Sequence, residues 1–338
     1  MKNKKKLFVY CCDIAKYRGE GILANNFILI LKKIFKDNSI EVYTPENKFS
    51  HDKINRNHKK INHSFFYKYF SPLLGIVKIW VYHFKGSKTA YINYLPLWNF
   101  FLFIFLPKKT ILGPITGGIY QGNNYHIKTI IRKIVIYTFY SISIFFIRIR
   151  NLKCIFSTKL LFAYLPNSII NKSIFNFQLN NLYFYQKEKK FIDILYYNRD
   201  YHTKNNSLIL PILYKLKNNF NILIVGKKIK NFKNLGIISR NKMIGILKKT
   251  KFIFSSPENQ YSYFVLDGIS CNVRIISSHI HNRNFFKDRF IYLKKIDEEN
   301  IKKILLLKDK MYDNKKYVEI MKSRNQNILS FLKKNYGH

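Results

Sequence analysis

Two basic side chains, Arg199 and Lys204, follow directly on an apolar segment at residues 191–197 that predicts a buried strand. A diphosphate group carries about two negative charges, and at the carboxyl end of a strand an arginine offers it a fork and a lysine a point charge. On charge alone, two solvated basic side chains are the simpler interpretation in a chain this rich in lysine. The pair is a candidate anion site, and the neighbouring sequence must decide whether it is one.

Glycines mark two further segments where backbone can approach a ligand. Gly19 and Gly21 lie between an apolar first strand and a helical pattern, and a second glycine turn spans residues 113–118. The dinucleotide pattern G-x-G-x-x-G is not completed, because Ala24 stands where the third glycine belongs. A dinucleotide is therefore disfavoured, and we expect no cofactor.

The elements that position these residues alternate between strands and helices in both halves of the chain. The first half predicts strands at 6–12, 39–44, 90–95, 110–113 and 153–157 and helices at 22–33 and 130–150. After a stretch rich in Asn and Lys at 166–190, the pattern restarts with strands at 191–197, 221–225, 252–255 and 273–277 and helices at 207–216, 241–249 and 263–271. Such alternation predicts two parallel sheets with covering helices. We expect an α/β protein with one domain over 1–175 and another over 176–338, whose final helix packs back on the first.

The second half resembles the donor domain of glycosyltransferase family 4, retaining enzymes of the GT-B fold, over residues 191–278. The first strand of that domain ends in G-R-x-x-x-x-K-G, and Arg199 and Lys204 keep both charges at that spacing, with asparagine in place of each glycine. Residues 255–273 are similar to the family's segment P-S-x-x-E-x-F-G-x-x-x-x-E-A-M-A-x-G-x-P-V-V. The resemblance implies a GT-B fold, in which two Rossmann-like domains face each other across a cleft.

The resemblance also implies roles for individual residues. Arg199 and Lys204 would hold the donor's diphosphate, Glu258 would orient the sugar, and Asp267, in the position of the family's second glutamate, would contact the ribose. A carboxylate suits such contacts because it accepts hydrogen bonds from two hydroxyls. The remaining substrate-binding positions implied are Gly19, Glu20, Gly21, Gly117, Gly118, Asn259, Tyr263, Phe264 and Val265.

The first acidic position of that segment departs from the family's pattern. The spacing places Asn259 there, and Glu258 lies one residue earlier. Either Glu258 reaches the sugar through a shifted loop or an amide has replaced the acid, and we favour Glu258. An alternative is a degenerate, non-catalytic homologue.

Other catalytic chemistries lack their motifs. The sequence contains no G-x-S-x-G nucleophile segment, and its histidines and cysteines have no metal-ligand spacing. We therefore expect metal-independent chemistry.

The formal charge of +42 on 338 residues indicates either a biased genome composition or an anionic partner. A nucleic acid is the weaker candidate, because no zinc-finger spacing or RNA-binding aromatic motif occurs. The longest apolar run, residues 97–106, is about half the length that spans a bilayer but can lie on one. We expect a cytoplasmic protein, peripheral at an anionic inner membrane face.

The predicted function is therefore transfer of a sugar from a nucleoside-diphosphate sugar to a lipid-linked or saccharide acceptor, in cell-surface polysaccharide or glycolipid synthesis. An inverting GT-B enzyme is the nearest alternative, and a basic nucleic-acid-binding protein is the more distant one.

Overall fold

A computed structural model describes residues 6–14, 19–35, 39–45, 48–50, 65–93, 95–117, 127–181, 184–186, 188–198, 206–255, 260–282, 284–307, 312–313 and 315–337. The chain divides into two compact units. The first comprises the described residues of Met1–Gly117, Asn124–Asn180 and Lys322–His338, and the second those of Asn181–Met321.

The first unit contains a five-stranded sheet with helices. Its elements are β1 (Lys6–Tyr10), α1 (Gly19–Ile34), β2 (Ser39–Tyr43), β3 (Lys48–Ser50), α2 (Phe65–Phe84), β4 (Lys88–Tyr91), α3 (Phe100–Phe105), β5 (Ile111–Leu112), β6 (Pro114–Ile115), α4 (Ile127–Ile149), β7 (Ile155–Phe156) and α5 (Asn167–Ile170). The strand order is β3-β2-β1-β4-β5, and every neighbouring pair is parallel except β2 and β3. The strand order therefore reverses between β1 and β4.

The strand β1 forms because its apolar run can be buried on both faces. Phe8 and Tyr10 belong to a core cluster shared with α2, α3 and α4, and Val9, which points to the opposite face, is equally buried. Helix α2 approaches Tyr10 closely at Gly75, where a Cβ atom would lie 2.3 Å from the Tyr10 ring. Glycine at this position therefore sets how closely α2 packs on the sheet.

The short helix α3 packs against both α2 and α4. Its last carbonyls are held by Arg150, whose guanidinium donates to the carbonyl oxygens of Ile104 at 2.8 Å and Leu106 at 2.6 Å. On the other side, the Trp80 indole donates to the carbonyl oxygen of Phe105 at 2.6 Å. These bonds satisfy the carbonyls that a helix leaves unpaired at its carboxyl end. Within the described ranges, no helix is long and apolar enough to cross a bilayer.

The second unit contains a six-stranded sheet in which every neighbouring pair is parallel. Its elements are β8 (Ile192–Asn198), α6 (Asn206–Leu216), β9 (Ile222–Gly226), β10 (Lys233–Asn234), α7 (Arg240–Leu247), β11 (Thr250–Phe254), α8 (Tyr263–Ser270), β12 (Arg274–Ser277), β13 (Phe290–Tyr292) and α9 (Glu298–Leu305). The order β10-β9-β8-β11-β12-β13 places β8 between β9 and β11. The strand order of this sheet reverses between β8 and β11.

The last helix, α10 (Lys315–Tyr336), begins in the second unit, and its final turns belong to the first. Its end is fastened by two hydrogen bonds. The Lys88 ammonium donates to the carbonyl oxygen of Tyr336 at 3.1 Å, and the Tyr336 hydroxyl donates to the carbonyl oxygen of Lys153 at 3.3 Å.

The prediction of an α/β protein with two sheets of parallel strands is confirmed except at β3, an antiparallel edge strand that was not predicted. Helix α2 is absent from the sequence-based prediction. Its interior contains Pro72 and Gly75, two residues that ordinarily interrupt a helical pattern. The apolar run at 97–106 contains only the six-residue helix α3, because Asn99 and Leu106 have extended or irregular backbone at its two ends.

Candidate functional site

The first unit brings three polar side chains to the carboxyl ends of β1 and β4. Asp13 follows β1, Asn93 follows β4, and Glu20 lies in the first turn of α1. The Asn93 side-chain oxygen accepts from the backbone N–H of Cys12 at 2.7 Å and of Asp13 at 3.3 Å, and its amide nitrogen donates to the carbonyl oxygen of Asp13. Asn93, which follows the neighbouring strand β4, therefore fixes the backbone that leaves the end of β1.

Glu20 is a residue of this edge whose carboxyl pKa is shifted. Burial raises the pKa of its carboxyl to about 7, and the negative charge of Asp13 adds to the rise. Its Oε2 atom is shielded from solvent and has no hydrogen-bond partner among the described residues. A carboxyl group in this state exchanges a proton near neutral pH, which is typical of a general acid or base.

The glycines beside Glu20 belong to the start of α1. Gly21 is buried, and its carbonyl oxygen accepts from the Asn25 side chain at 2.7 Å, while the same amide donates to the carbonyl oxygen of Ile14 at 2.8 Å. Gly19 is exposed at the first position of the helix. These contacts fix the beginning of α1 against the segment that follows β1.

The glycine turn after β5 is explained in part by packing. A Cβ atom at Gly113 would lie 2.3 Å from the carbonyl oxygen of Ile92, and one at Gly117 would lie 2.7 Å from the Leu161 side chain. Close backbone contact therefore accounts for Gly113. Gly117 is half-buried, and its predicted contact with substrate stays a prediction, while Gly118 lies outside the described residues.

In the second unit, the predicted diphosphate site begins at the carboxyl end of β8. Asn198 ends that strand, and its side-chain amide donates to the carbonyl oxygen of Lys227 at 2.9 Å, beyond the end of β9. Gly226 has a φ of +96°, and a Cβ atom there would lie 2.3 Å from the carbonyl oxygen of Asn198. The ends of β8 and β9 are thus held together immediately before Arg199. Arg199 and Lys204 themselves lie outside the described residues.

The predicted sugar-binding segment follows β11, the strand next to β8. Glu258 and Asn259 are also outside the described part of the chain, which resumes at Gln260. Helix α8 then begins with Ser262 as its N-cap, whose side chain accepts from the N–H of Val265 at 3.3 Å. The first turn of α8 therefore begins shortly after this segment.

The first residues of α8 are largely buried. Tyr263, Phe264 and Val265 are at most 8% exposed, and the Phe264 ring lies 5.3 Å from that of Tyr197 on β8. Packing explains their apolar character. Their predicted contacts with substrate stay predictions.

Asp267 is engaged by an arginine that the sequence-based prediction missed. Its two carboxylate oxygens accept from the Arg240 guanidinium at 2.6 and 2.9 Å, and Asp267 is 5% exposed. Burial raises the pKa of Asp267, and the guanidinium offsets part of that rise. The Arg240 guanidinium also lies 5.4 Å from the centre of the Tyr263 ring. The Asp267 carboxylate is thus directed to the start of α7, and a ribose contact remains a prediction.

The thiols and the acidic groups show no metal chemistry in the part of the chain that the structure describes. No group of three His, Cys, Asp or Glu side chains there could hold an ion. Cys11, Cys12, Cys154 and Cys271 are buried and unpaired with one another, and burial raises the pKa of Cys12 and Cys154 to about 12.

Comparison with known proteins finds similarity in structure alone. No model of a protein family and no curated protein sequence matches the chain. A crystal structure of WaaG, a glycosyltransferase involved in lipopolysaccharide biosynthesis, aligns with a TM-score of 0.52 at 11% identity, covering 98% of this chain and 94% of that one. A crystal structure of a UDP-glucose:anthocyanidin 3-O-glucosyltransferase in complex with UDP aligns with a TM-score of 0.44 at 10% identity, covering 98% of this chain and 95% of that one. The predicted fold class, GT-B with two Rossmann-like domains, is confirmed.

Proposed function

We propose that this protein is a glycosyltransferase that moves a sugar from a nucleoside-diphosphate sugar to an acceptor hydroxyl. One observation carries the proposal: the two segments with family-like site residues follow β8 and β11, the strands between which the strand order reverses. In open parallel sheets, ligands bind outside the carboxyl ends of the strands at such a reversal. Two segments identified from sequence alone therefore begin at the position where this fold binds ligands.

The donor's charge would be met by Arg199 and Lys204. Departure of a nucleoside diphosphate develops negative charge, and stabilising that charge is the main electrostatic requirement of the reaction. Glu258 would orient the sugar. Asp267 would reach the ribose through the lone pairs that the Arg240 guanidinium leaves, so Arg240 would act as a positioning residue. As in family 4, the reaction would retain the anomeric configuration, with no metal or other cofactor.

A second candidate, an inverting GT-B enzyme, is favoured by Glu20. Inversion in a single displacement needs a base for the acceptor hydroxyl, and the raised pKa of Glu20 suits proton uptake near neutral pH. Asn93 fixes the turn that carries the neighbouring Asp13. The anomeric configuration of the product, determined by NMR, separates the two candidates, since only the inverting enzyme would reverse it.

The acceptor that we propose is a saccharide or a lipid-linked molecule of the cell envelope, reached from the cytoplasmic face of a membrane. WaaG, which has a similar fold, is involved in lipopolysaccharide biosynthesis. The first unit also carries an apolar face, formed by exposed side chains on three neighbouring helices: Leu73, Val77 and Phe84 of α2, Phe101 and Phe105 of α3, and Ile134 and Phe145 of α4. Groups of exposed apolar side chains on neighbouring helices are typical of interaction surfaces.

Charge favours an anionic bilayer as the partner of the apolar face. The sequence contains no Asp or Glu between Asp52 and Glu188, whereas lysine and arginine recur throughout that span. Each basic residue near an anionic leaflet contributes about 1 kcal/mol to binding. An acid-free surface with exposed aromatic rings therefore fits a membrane better than a nucleic acid, which we do not expect as a partner.

The first prediction tests the donor site. UDP-, GDP- and ADP-sugars are screened by thermal shift, and release of the nucleoside diphosphate is then followed with the donor that binds. We expect Arg199→Ala and Lys204→Ala each to slow release by about tenfold or more, because a hydrogen bond to a charged group contributes about 1.5–3 kcal/mol. Lys242→Ala, at an exposed lysine of α7, is the control. Wild-type rates in both test variants would remove the diphosphate assignment.

The second prediction decides between Glu258 and Asn259. If Glu258 orients the sugar, Glu258→Gln loses far more activity than Asn259→Ala, because the amide has only one oxygen to accept hydrogen bonds. Steady-state transfer with the same donor measures both variants. If Asn259→Ala loses more activity than Glu258→Gln, the sugar-orienting role belongs to Asn259, at the position that the family's spacing gives.

The third prediction concerns Glu20 and pH. Between pH 4.5 and about 7 the folded chain keeps a proton on Glu20 that the unfolded chain has released, so wild-type stability falls as pH rises through this window. The full shift corresponds to a loss of about 3 kcal/mol. Glu20→Gln cannot ionise, so we expect its advantage over the wild type in urea unfolding to be about 1–3 kcal/mol larger at pH 8 than at pH 4.5.

Glu299→Gln, at an exposed position of α9, is the control for the loss of one carboxylate. Parallel pH curves for the wild type and Glu20→Gln would show that Glu20 does not titrate in this window. If Glu20 also removes the acceptor's proton, Glu20→Gln slows transfer by about 100-fold or more at pH 8.

The fourth prediction concerns membrane binding. We expect the protein to float with vesicles that contain phosphatidylglycerol, and part of this binding to resist high salt, because salt screens charge but not inserted aromatic rings. Phe101→Ser/Phe105→Ser removes the resistant part. Leu306→Ser/Leu307→Ser, two exposed leucines of the second unit, is the matched control. Absence of flotation at low and high salt would leave a soluble acceptor.

A further inference from the structure

A cavity of about 690 Å³ lies within the first unit at the edge of the sheet where β4 and β5 begin, opposite to the carboxyl ends of the strands. Its walls are the connections that enter β4, β5 and β7 and the last turns of α2 and α10. Four lysines, Lys88, Lys108, Lys109 and Lys153, line it together with His83, and no carboxylate of the described residues does. We call it the lysine cavity. Its volume is in the range of small-molecule sites, which is about 300–1,000 Å³.

The simplest explanation of these lysines is compensation of helix dipoles. Three helices, α2, α4 and α10, end at residues on or beside the cavity wall, and each helix end carries about half a negative charge. Three ends therefore account for about 1.5 charges, whereas four lysines carry about four. The Lys88 ammonium is already used by the carbonyl oxygen of Tyr336. More than one positive charge remains uncompensated by the helices.

Among the described residues that line the cavity, none supplies the missing negative charge. Every lining residue belongs to parts of the sequence without acidic residues, namely 53–187 and the stretch after Glu319. Lys108 and Lys109 are exposed, while Lys88 and Lys153 are half-buried. Concentrating ammonium groups around one concave space raises their mutual repulsion, and a bound anion with several charges relieves it.

We infer that the lysine cavity is a binding site for a compact phosphate-bearing anion, a phosphomonoester or a diphosphate. Lysine binds phosphate as a point charge that can rotate to suit several oxygens, so four such groups accept a tetrahedral polyanion without a fixed fork geometry. The site lies at the edge of the sheet opposite to Asp13 and Asn93. Within the first unit it is therefore separate from the edge that carries Asp13, Asn93 and Glu20.

The probe for this site is inorganic pyrophosphate, titrated by isothermal calorimetry. Because Arg199 and Lys204 would also bind a diphosphate, the titration is performed in the wild type and in an Arg199→Ala/Lys204→Ala host. We expect binding of one pyrophosphate per chain in that host, weakened about tenfold or more by Lys108→Gln/Lys109→Gln. Both lysines are exposed, and circular dichroism and melting temperature verify that the variant folds.

Lys189→Gln/Lys249→Gln is the matched control, because these exposed lysines precede β8 and β11 at the corresponding edge of the second sheet. We expect it to bind pyrophosphate as the host does. Equal weakening by both double variants would reduce the effect to overall charge and overturn the inference, as would the absence of binding in the host. Loss of binding only when Arg199 and Lys204 are replaced would support the donor site and reject the lysine cavity.

A vesicle arm distinguishes a free anion from a lipid headgroup. Vesicles with phosphatidic acid, a phosphomonoester, are compared with phosphatidylglycerol vesicles of equal surface potential. A preference for phosphatidic acid that disappears in Lys108→Gln/Lys109→Gln identifies the headgroup as the source of the phosphate. Equal binding to both, with pyrophosphate binding retained in solution, identifies a soluble phosphorylated molecule.

Discussion

Parallel pairing of buried strands is the constraint on which both units depend. A parallel neighbour can be reached only by a crossover, usually a helix, so all strands except the edge strand β3 point their carboxyl ends to one edge of their sheet, and the crossover helices begin there. In the first unit this places Asp13 and Asn93 side by side, although they lie far apart in the chain. In the second it places the segments after β8 and β11 next to each other. The chemistry that we propose uses only this edge.

The same constraint gives the two edges of the first sheet different electrostatic character. The carboxyl edge holds buried acids, and the pKa of Glu20 is raised by its burial there. The opposite edge receives helix carboxyl ends, and the described lining of the lysine cavity there contains four lysines and no carboxylate. The topology thus concentrates part of the chain's positive charge at one edge of the sheet. Overall composition alone could not reveal this arrangement, because it contains no information about which residues share an edge.

How far the sequence predicted the structure depends on the range of the interactions involved. Strands such as β1 and β9 were predictable because each contains a continuous apolar run, which two-sided burial requires, and β8 departs from this pattern near its start only at Asp193. The ion pair of Arg240 with Asp267 was not, because nothing local links the start of α7 to the middle of α8. Asn93 was likewise invisible as a partner of Asp13, because the prediction placed Asn93 inside a strand at 90–95, whereas β4 ends at Tyr91. Sequence patterns locate the edge of the sheet, and only the packed fold shows which side chains meet there.

The support of α3 by Arg150 has a consequence for synthesis of the chain. A six-residue helix is too short to be stable in water by itself, and the carbonyl oxygens of Ile104 and Leu106 accept from a guanidinium that lies 44 residues beyond Leu106. A ribosome therefore exposes the segment Phe-Phe-Leu-Phe-Ile-Phe well before Arg150 emerges. Uncharged, aromatic and free of proline, this segment has the composition of aggregation-prone windows. During synthesis of the first unit, this apolar segment is therefore exposed before Arg150 can bind its carbonyl oxygens. A chaperone or a nearby membrane surface would protect the segment from aggregation during that interval.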